Sequence, residues 1–377
     1  MYGITPWRNL SRRRHAAIIT PPSSSALADR LQMEVALVGD AFVDVQVGGV
    51  SQLPSWGADV SCSSVRLLPG GSCGNTARHL GSLGKGDLRA SFFSCVGDDE
   101  AGAHYVRTLD TEGALRTPRD TLCVLPSTPQ SCCVILSGER DRAMCSCYET
   151  VHRVSMAQFA NTRLLRAEDA SWAHVHLGGY FNAIGMHDED TLGFVRSVRS
   201  RGGTVSLDPQ HDCSGKWTGE GGHLAQLLPH IDVFLPNETE ILAIAGALAD
   251  GCARPRPTTP AEALEELAEQ FPTLLVVMTL GDKGLRAARG GGANSGCSSE
   301  RWEVSALPIR KFVDATGAGD ACAAGFLVQF LRNPSDVRLA LQWGAAAGAL
   351  CVSAPGACER PLTAEEVRSV IKAGAVS

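Results

Sequence analysis

The chain of 377 residues has no apolar run near the roughly 20 residues that a membrane-spanning helix needs. It also lacks a surplus of positive charge: 34 Lys and Arg stand against 40 Asp and Glu, a formal net charge of -6. That balance recommends neither nucleic acid nor an anionic membrane as a partner. Aromatic residues amount to only 6%, so a pocket walled by rings has few side chains to draw on. No internal repeat and no secretory apolar segment is present. The 14 cysteines are scattered from Cys62 to Cys358 without one Cys-x-x-Cys pair, which excludes zinc-ribbon spacing. Cys132-Cys133 and Cys145-x-Cys147 fall in strand-like stretches, where a thiol packs as a small apolar group. They read as reduced thiols of a cytoplasmic protein. His174 and His176 alternate along a strand with no third ligand nearby in sequence, and read as structural.

What is present is ordinary for a soluble enzyme, with 44% hydrophobic and 20% charged residues. The first acidic residue is Asp29, preceded by Arg8, Arg12, Arg13 and Arg14 among Ser and Pro. Residues 1–31 are therefore expected to be a flexible extension, with organelle targeting by residues 1–30 as the alternative. From residue 32 to 377 short apolar runs alternate with helical patterns. Val35–Gly39, Ala90–Val96, Val175–Gly178, Thr204–Leu207, Val233–Leu235 and Leu274–Met278 read as strands. Thr76–Leu83, Thr191–Val198, Glu238–Leu248, Gly319–Leu331 and Val337–Val352 read as helices. This rhythm predicts an α/β fold: three layers, doubly wound, with a mostly parallel sheet covered on both faces. Two stretches rich in Val, Ser and Cys break it, residues 45–68 and 122–150. They are expected to form antiparallel strands of a small β lid over the carboxyl ends of the sheet.

The chemistry concentrates in Asp314-Ala-Thr-Gly-Ala-Gly-Asp320, followed by an apolar small-residue helix. Gly317-Ala318-Gly319 lets backbone N–H groups converge at a helix start, an anion hole suited to a transferring phosphoryl group. Asp320, one residue further, is placed to take a proton from an attacking hydroxyl. Alone, a glycine-rich helix start followed by Asp more often serves only the helix dipole.

The whole stretch resembles the C-terminal signature of the ribokinase-like, or PfkB, carbohydrate kinase family, and other motifs follow in that family's order. Gly70-Gly71-Ser-Cys-Gly-Asn75 looks like its N-terminal signature, and Gly39-Asp40-Ala-Phe-Val-Asp44 like its opening strand and turn. The resemblance implies that Asp44, Gly70, Gly71 and Asn75 bind substrate hydroxyls. Gly97-Asp98-Asp99-Glu100-Ala-Gly102 matches a structural turn. Asn237-Glu-Thr-Glu240 is similar to the Asn-x-x-Glu motif, implying Mg2+ organised by Glu240 through water and Asn237 near the nucleotide. Thr279-Leu-Gly281-Asp-Lys-Gly284 resembles the loop bordering ATP. Asp314 falls where some members bind a monovalent cation, so K+ is expected there. Cys73 replaces the usual small residue of the first signature, Ala315 replaces the usual Thr, Ser or Pro, and the spacing between Gly84 and Gly97 is longer. None of these removes a reacting group.

Several of these residues have plainer readings. Asn237 and Glu240 fit a helix-capping box, Asp44 a solvated turn, and Gly281 and Gly284 a tight turn. Asp208-Pro209 marks a strand end without an assigned role, while Arg140 and Arg142 fall in the lid. The expected activity is ATP-dependent phosphorylation of a small sugar of the ribose or fructose kind. A nucleoside kinase is the alternative, with Trp56, Phe42 and Tyr180 available to cover a base. Pyridoxal kinase is a more remote option, and a non-catalytic binding member of the fold is the rival from another class. Lids in this family sometimes pair, so a homodimer through the lid is also expected.

Overall fold

The structure is a computed structural model describing residues 32–138, 142–166, 171–252, 254–291, 299–308, 311–354 and 356–374, with only the backbone of residue 142. The N-terminal extension and Arg140 lie outside the described residues, and the side chain of Arg142 likewise.

The short apolar runs become strands, in chain order β1 (Met33–Gly39), β2 (Phe42–Gly48), β3 (Ser64–Gly70), β4 (Leu88–Gly97), β5 (Leu122–Leu125), β6 (Cys132–Ser137) and β7 (Arg142–Cys147). They continue as β8 (His174–Gly178), β9 (Thr204–Leu207), β10 (Val233–Phe234), β11 (Leu275–Thr279), β12 (Leu285–Arg289) and β13 (Glu300–Val304). The main helices are α1 (Ser72–Leu83), α2 (Glu100–Glu112), α3 (Glu189–Ser200), α4 (Glu238–Gly251), α5 (Pro260–Gln270), α6 (Ala318–Arg332), α7 (Val337–Cys351) and α8 (Ala364–Gly374).

Nine strands form one sheet in the order β13-β12-β11-β10-β9-β8-β1-β4-β5. From β5 to β11 every neighbouring pair is parallel, and β12 and β13 add an antiparallel edge. Alternation along β1 shows why both faces are covered. Val35 and Leu37 pack with α1, α2, α6 and α7, whereas Ala36 and Val38 pack with α3, α4 and α5. The expected three-layer architecture is what the chain adopts. Strand order reverses beside β1, which places a crevice at the carboxyl ends of β1 and β8. There Gly39 and Gly178 leave room for Cys73, which any side chain on either glycine would strike.

Helix α1 starts four residues earlier than its periodicity suggests. Gly71, at φ +89°, acts as its N-cap, and the Asp40 carboxylate accepts the Cys73 N–H at 2.8 Å. Asp99 of the structural turn caps α2 through the Gly102 N–H at 2.9 Å. His174 and His176 share the Ser206 hydroxyl in the buried core, where desolvation pushes both down to about 3. Every described cysteine is a free thiol. No described helix is long and apolar enough to cross a membrane.

The small sheet has the order β3-β2-β6-β7. Its outer pairs are antiparallel, but β2 and β6 run parallel. That differs from the wholly antiparallel lid expected. After β3 the chain crosses into the large sheet through α1, β4, α2 and β5, and it returns to the lid travelling in the direction of β2. Leu122–Leu125 accordingly pairs with β4 as the edge of the large sheet. The lid's faces differ sharply. Paired positions carry Asp44, Gln46, Arg66, Leu68, Cys133 and Ile135 on one side, and Val45, Val47, Val65, Leu67, Val134 and Leu136 on the other.

Candidate active site

Loops leaving the parallel strands deliver acidic groups to one place. Asp40 follows β1, Asp44 stands on β2, Asp208 follows β9, Glu240 opens α4 after β10, and Asp320 opens α6. All five are buried. Desolvation raises each of their pKa values, and their mutual repulsion adds to it for Asp40's neighbours Asp44, Asp208 and Asp320. Such a cluster of buried acids calls for hydroxyl donors or cations among them.

Asp320 is the most firmly held. Its Oδ1 accepts the Ser72 hydroxyl at 2.9 Å and its Oδ2 accepts the Asn75 Nδ2 amide at 2.9 Å. Burial pushes it up to about 7 against the pull of these two donors. The residues before it form the helix start that their glycines predict. Gly317 adopts φ +73°, and a side chain there would strike the Ala357 backbone. A side chain at Gly319 would meet nothing within 4 Å. The Ala318 N–H is turned to the Ala315 carbonyl at 3.3 Å, whereas those of Gly317, Gly319 and Asp320 bond to no described residue. Unpaired donors at a helix N-terminus suit an anion.

On the lid side, Asp44 lies against Gly70, and any side chain at Gly70 would collide with its carboxylate. Burial, then the charges of Asp320 and Asp40, push Asp44 up to about 7, while the Arg78 guanidinium opposes them. Arg78 is itself buried and paired with Glu112. No described residue hydrogen-bonds the Asp44 side chain, and Asn75 Oδ1 is buried without a partner among them. Gly71 brings the chain against the Asp40 carbonyl, where a Cβ would stand only 2.6 Å away.

Beside Gly319 lies a small cavity of about 50 Å3 lined by Asp208, Gln210, Asn237, Glu240, Thr279 and Gly319, among others. Asn237 and Glu240 make the full capping box: Asn237 Oδ1 accepts the Glu240 N–H and Glu240 Oε2 accepts the Asn237 N–H, each at 2.9 Å. The box also turns Glu240 into the cavity, where burial pushes it up to about 7. Thr279 bridges to Asn237 and donates its N–H to Pro236. Gly281 and Gly284 build the turn into β12, and Gly284, at φ +105°, abuts Val304 and Ala306.

No described cluster of three or more His, Cys, Asp or Glu side chains is fit to hold a metal by itself. Mg2+ differs from such ions in keeping several waters and taking one or two carboxylates plus substrate phosphates. Asp208 and Glu240 on the cavity wall fit that demand. Asp314 is set otherwise. Its Oδ1 accepts the Thr316 N–H and hydroxyl at 2.8 and 2.7 Å, and its Oδ2 accepts the Gly356 N–H at 3.0 Å and the Gln46 amide at 3.5 Å.

Sequence reasoning passed over Ser72 and Gln210, and left Asp208 without a role. Ser72 occupies an unspecified position of the glycine signature, and Gln210 follows Asp208-Pro209 in a loop whose path is not readable. The strand end at Asp208 was the available signal. Of the aromatic residues considered as cover for a base, Phe42 and Tyr180 are core residues and Trp56 is fully exposed.

Residues 33–364 match the pfkB family carbohydrate kinases, and the chain belongs to that family. It is a kinase that transfers a phosphoryl group to an alcohol acceptor on a carbohydrate or nucleoside. A ribokinase of Arabidopsis thaliana is 25% identical over 341 residues, 86% of this chain and 77% of that protein. An Escherichia coli fructokinase is 27% identical over 361 residues, 89% of this chain and 100% of the fructokinase. The fold matches a crystal structure of a putative E. coli Ribokinase II in complex with ATP and Mg2+, with a TM-score of 0.71 and 22% identity, covering 91% of this chain and 100% of that one.

Proposed function

We propose that the chain transfers the γ-phosphoryl group of ATP to a hydroxyl of a small sugar, in the manner of a ribokinase or fructokinase. The supporting observation is the placement of Asp320, buried at a helix start between two hydrogen-bond donors, beside free N–H groups and facing the unsatisfied acceptors of Asp44 and Asn75. Separate sugar hydroxyls can donate to Asp44 and to Asn75 Oδ1, with Gly70 and Gly71 allowing the ring to approach the backbone. Asp320 takes the proton of the attacking hydroxyl as its oxygen bonds to phosphorus and the bond to the β-phosphate oxygen breaks. The N–H groups of Gly317, Gly319 and Asp320 receive the transferring phosphoryl oxygens, with Ala318 shaping the turn.

Asn237, Thr279, Gly281 and Gly284 would border the nucleotide, and Glu240 with Asp208 would hold Mg2+ through water. Mg2+, when bound, offsets the phosphate charge. K+ beside Asp314 would take the place of the Gln46 amide, whose contact is the longest of the four. Maximal rate in K+ and none of that gain in Na+ supports it; equal rates in the two salts count against it. The lid strands exclude water that would otherwise hydrolyse ATP.

The nucleoside alternative needs cover for a base, and the residues best suited to give it are in the core or fully exposed. The test is a panel of D-ribose, D-fructose and adenosine with MgATP under one condition. Turnover of a sugar well above adenosine is expected, and the reverse order would replace the proposal with the nucleoside reading. The second copy expected at the lid finds support in its outer face, where Val65 and Leu67 are 60% and 53% exposed. An apolar sheet face of this kind suits the same face of another lid.

A further inference from the structure

Asp320 is fastened by a chain of groups that begins on the opposite side of the crevice. Gln210 Nε2 donates to Ser72 Oγ at 2.9 Å, and Ser72 Oγ donates to Asp320 Oδ1 at 2.9 Å. The Gln210 N–H is in turn anchored on Asp208 Oδ1 at 3.1 Å. Gln210 is held at φ +57°, a left-handed conformation uncommon for a residue other than glycine and found where surrounding structure enforces it. A hydroxyl has one proton and two lone pairs, and a side-chain NH2 only donates. With one Ser72 lone pair taken by the Gln210 amide, the hydroxyl proton is directed to Asp320.

We propose that Ser72 and Gln210 are positioning residues for phosphoryl transfer, a relay that orients the Asp320 carboxylate and favours its ionised form. This rests on the reading of Asp320 as the base. The relay has a clear task, because the groups facing Asp320 oppose its ionisation. The carboxylates of Asp40, Asp44, Asp208 and Glu240 surround it, while the nearby thiols of Cys73, Cys351 and Cys358 are held neutral by burial and bring no countercharge. The nearby Arg78 guanidinium acts on Asp44 but is paired with Glu112. Against these acids the polar support comes from Asn75 on Oδ2 and Ser72 on Oδ1.

The experiment is the pH dependence of kcat for the full chain and for Ser72→Ala, Ser72→Thr, Gln210→Met and Asp320→Asn, each checked for folding by thermal melting. Loss of one hydrogen bond to a carboxylate is expected to move the acid limb of Ser72→Ala upward by about one pH unit. Activity then falls about tenfold near pH 6 and recovers at high pH. Gln210→Met should move it less in the same direction, and Ser72→Thr, which keeps the hydroxyl, should restore it. If Ser72→Ala fails to fold, Gln210→Met carries the test. A folded variant whose profile keeps the parent's shape, with any loss uniform in pH, overturns the relay while an inactive Asp320→Asn leaves the base intact. Full turnover by Asp320→Asn overturns the base, and the relay with it.

Discussion

The Asn75 amide donates to Asp320 Oδ2 at 2.9 Å, joining residues 245 positions apart in the chain. One hydrogen bond thus ties the helix of the first glycine signature to the helix of the second. The same amide group presents a buried, unpartnered Oδ1, which is what an acceptor site between the two helices requires. If Asp44 and Asn75 share the acceptor's hydroxyls, Asp44→Asn should raise the acceptor KM by about 10- to 100-fold, the worth of a charge-assisted hydrogen bond. The KM for ATP should hardly change. Steady-state kinetics with each substrate varied in turn separates this from a general loss of fold, which would alter both.

Burial raises Asp320 from the ordinary carboxylate range, about 4, to about 7. The folded chain therefore holds this proton at pH values where the unfolded chain has lost it. Between about pH 4 and 7 the folded state binds more protons, and the stability contributed by the neutral group is lost as pH rises through 7. Asn imitates the protonated acid, so Asp320→Asn should gain stability relative to the parent from pH 5 to 7 and level off above. Buried His79, His174 and His176 are pushed down and act in the opposite sense, but they cancel in the difference. Thermal melting of both ligand-free proteins across pH 5 to 8 provides the check, and a constant difference contradicts it. Turnover of the parent should fall as pH drops below 7, because the base must be ionised.

Glu240 serves two purposes that separate by mutation. Glu240→Gln can keep the capping box, whereas Glu240→Ala cannot. The Gln variant should melt near the parent but need more Mg2+ for half-maximal rate. The Ala variant should show the same Mg2+ defect and lose about 1 kcal/mol of stability. Mg2+ titrations and melting curves on both variants distinguish these outcomes.

The lid predicts an assembly effect. Val65→Lys with Leu67→Lys places charge on the apolar outer face without touching the paired inner residues Arg66 and Leu68. Sedimentation should then report monomers where the parent forms dimers. A parent that stays monomeric at tens of micromolar removes this part of the proposal.

Much of this was readable in the chain because short apolar runs ended by Gly-Asp or Gly-Gly have few other meanings. β1, β9, α4, α6 and α7 fall where periodicity puts them, and Asp320 stands beside Gly319 as its motif implies. The start of α1 was hidden because Gly71 and Gly74 weaken the local helix signal while Asp40, distant in sequence, supplies the cap. The parallel pairing of β2 with β6 depends on a crossover through another sheet, which no local pattern reports. Ser72 and Gln210 escaped for a similar reason. Their bond spans 138 positions, and neither residue type signals chemistry alone.

The most direct measurement is turnover of Asp320→Asn with the best sugar of the panel, alongside ATP affinity by calorimetry. A loss of about 100- to 10,000-fold in kcat, the usual weight of a general base, with ATP affinity within a few-fold of the parent, is the result predicted. Turnover near that of the parent would contradict the account.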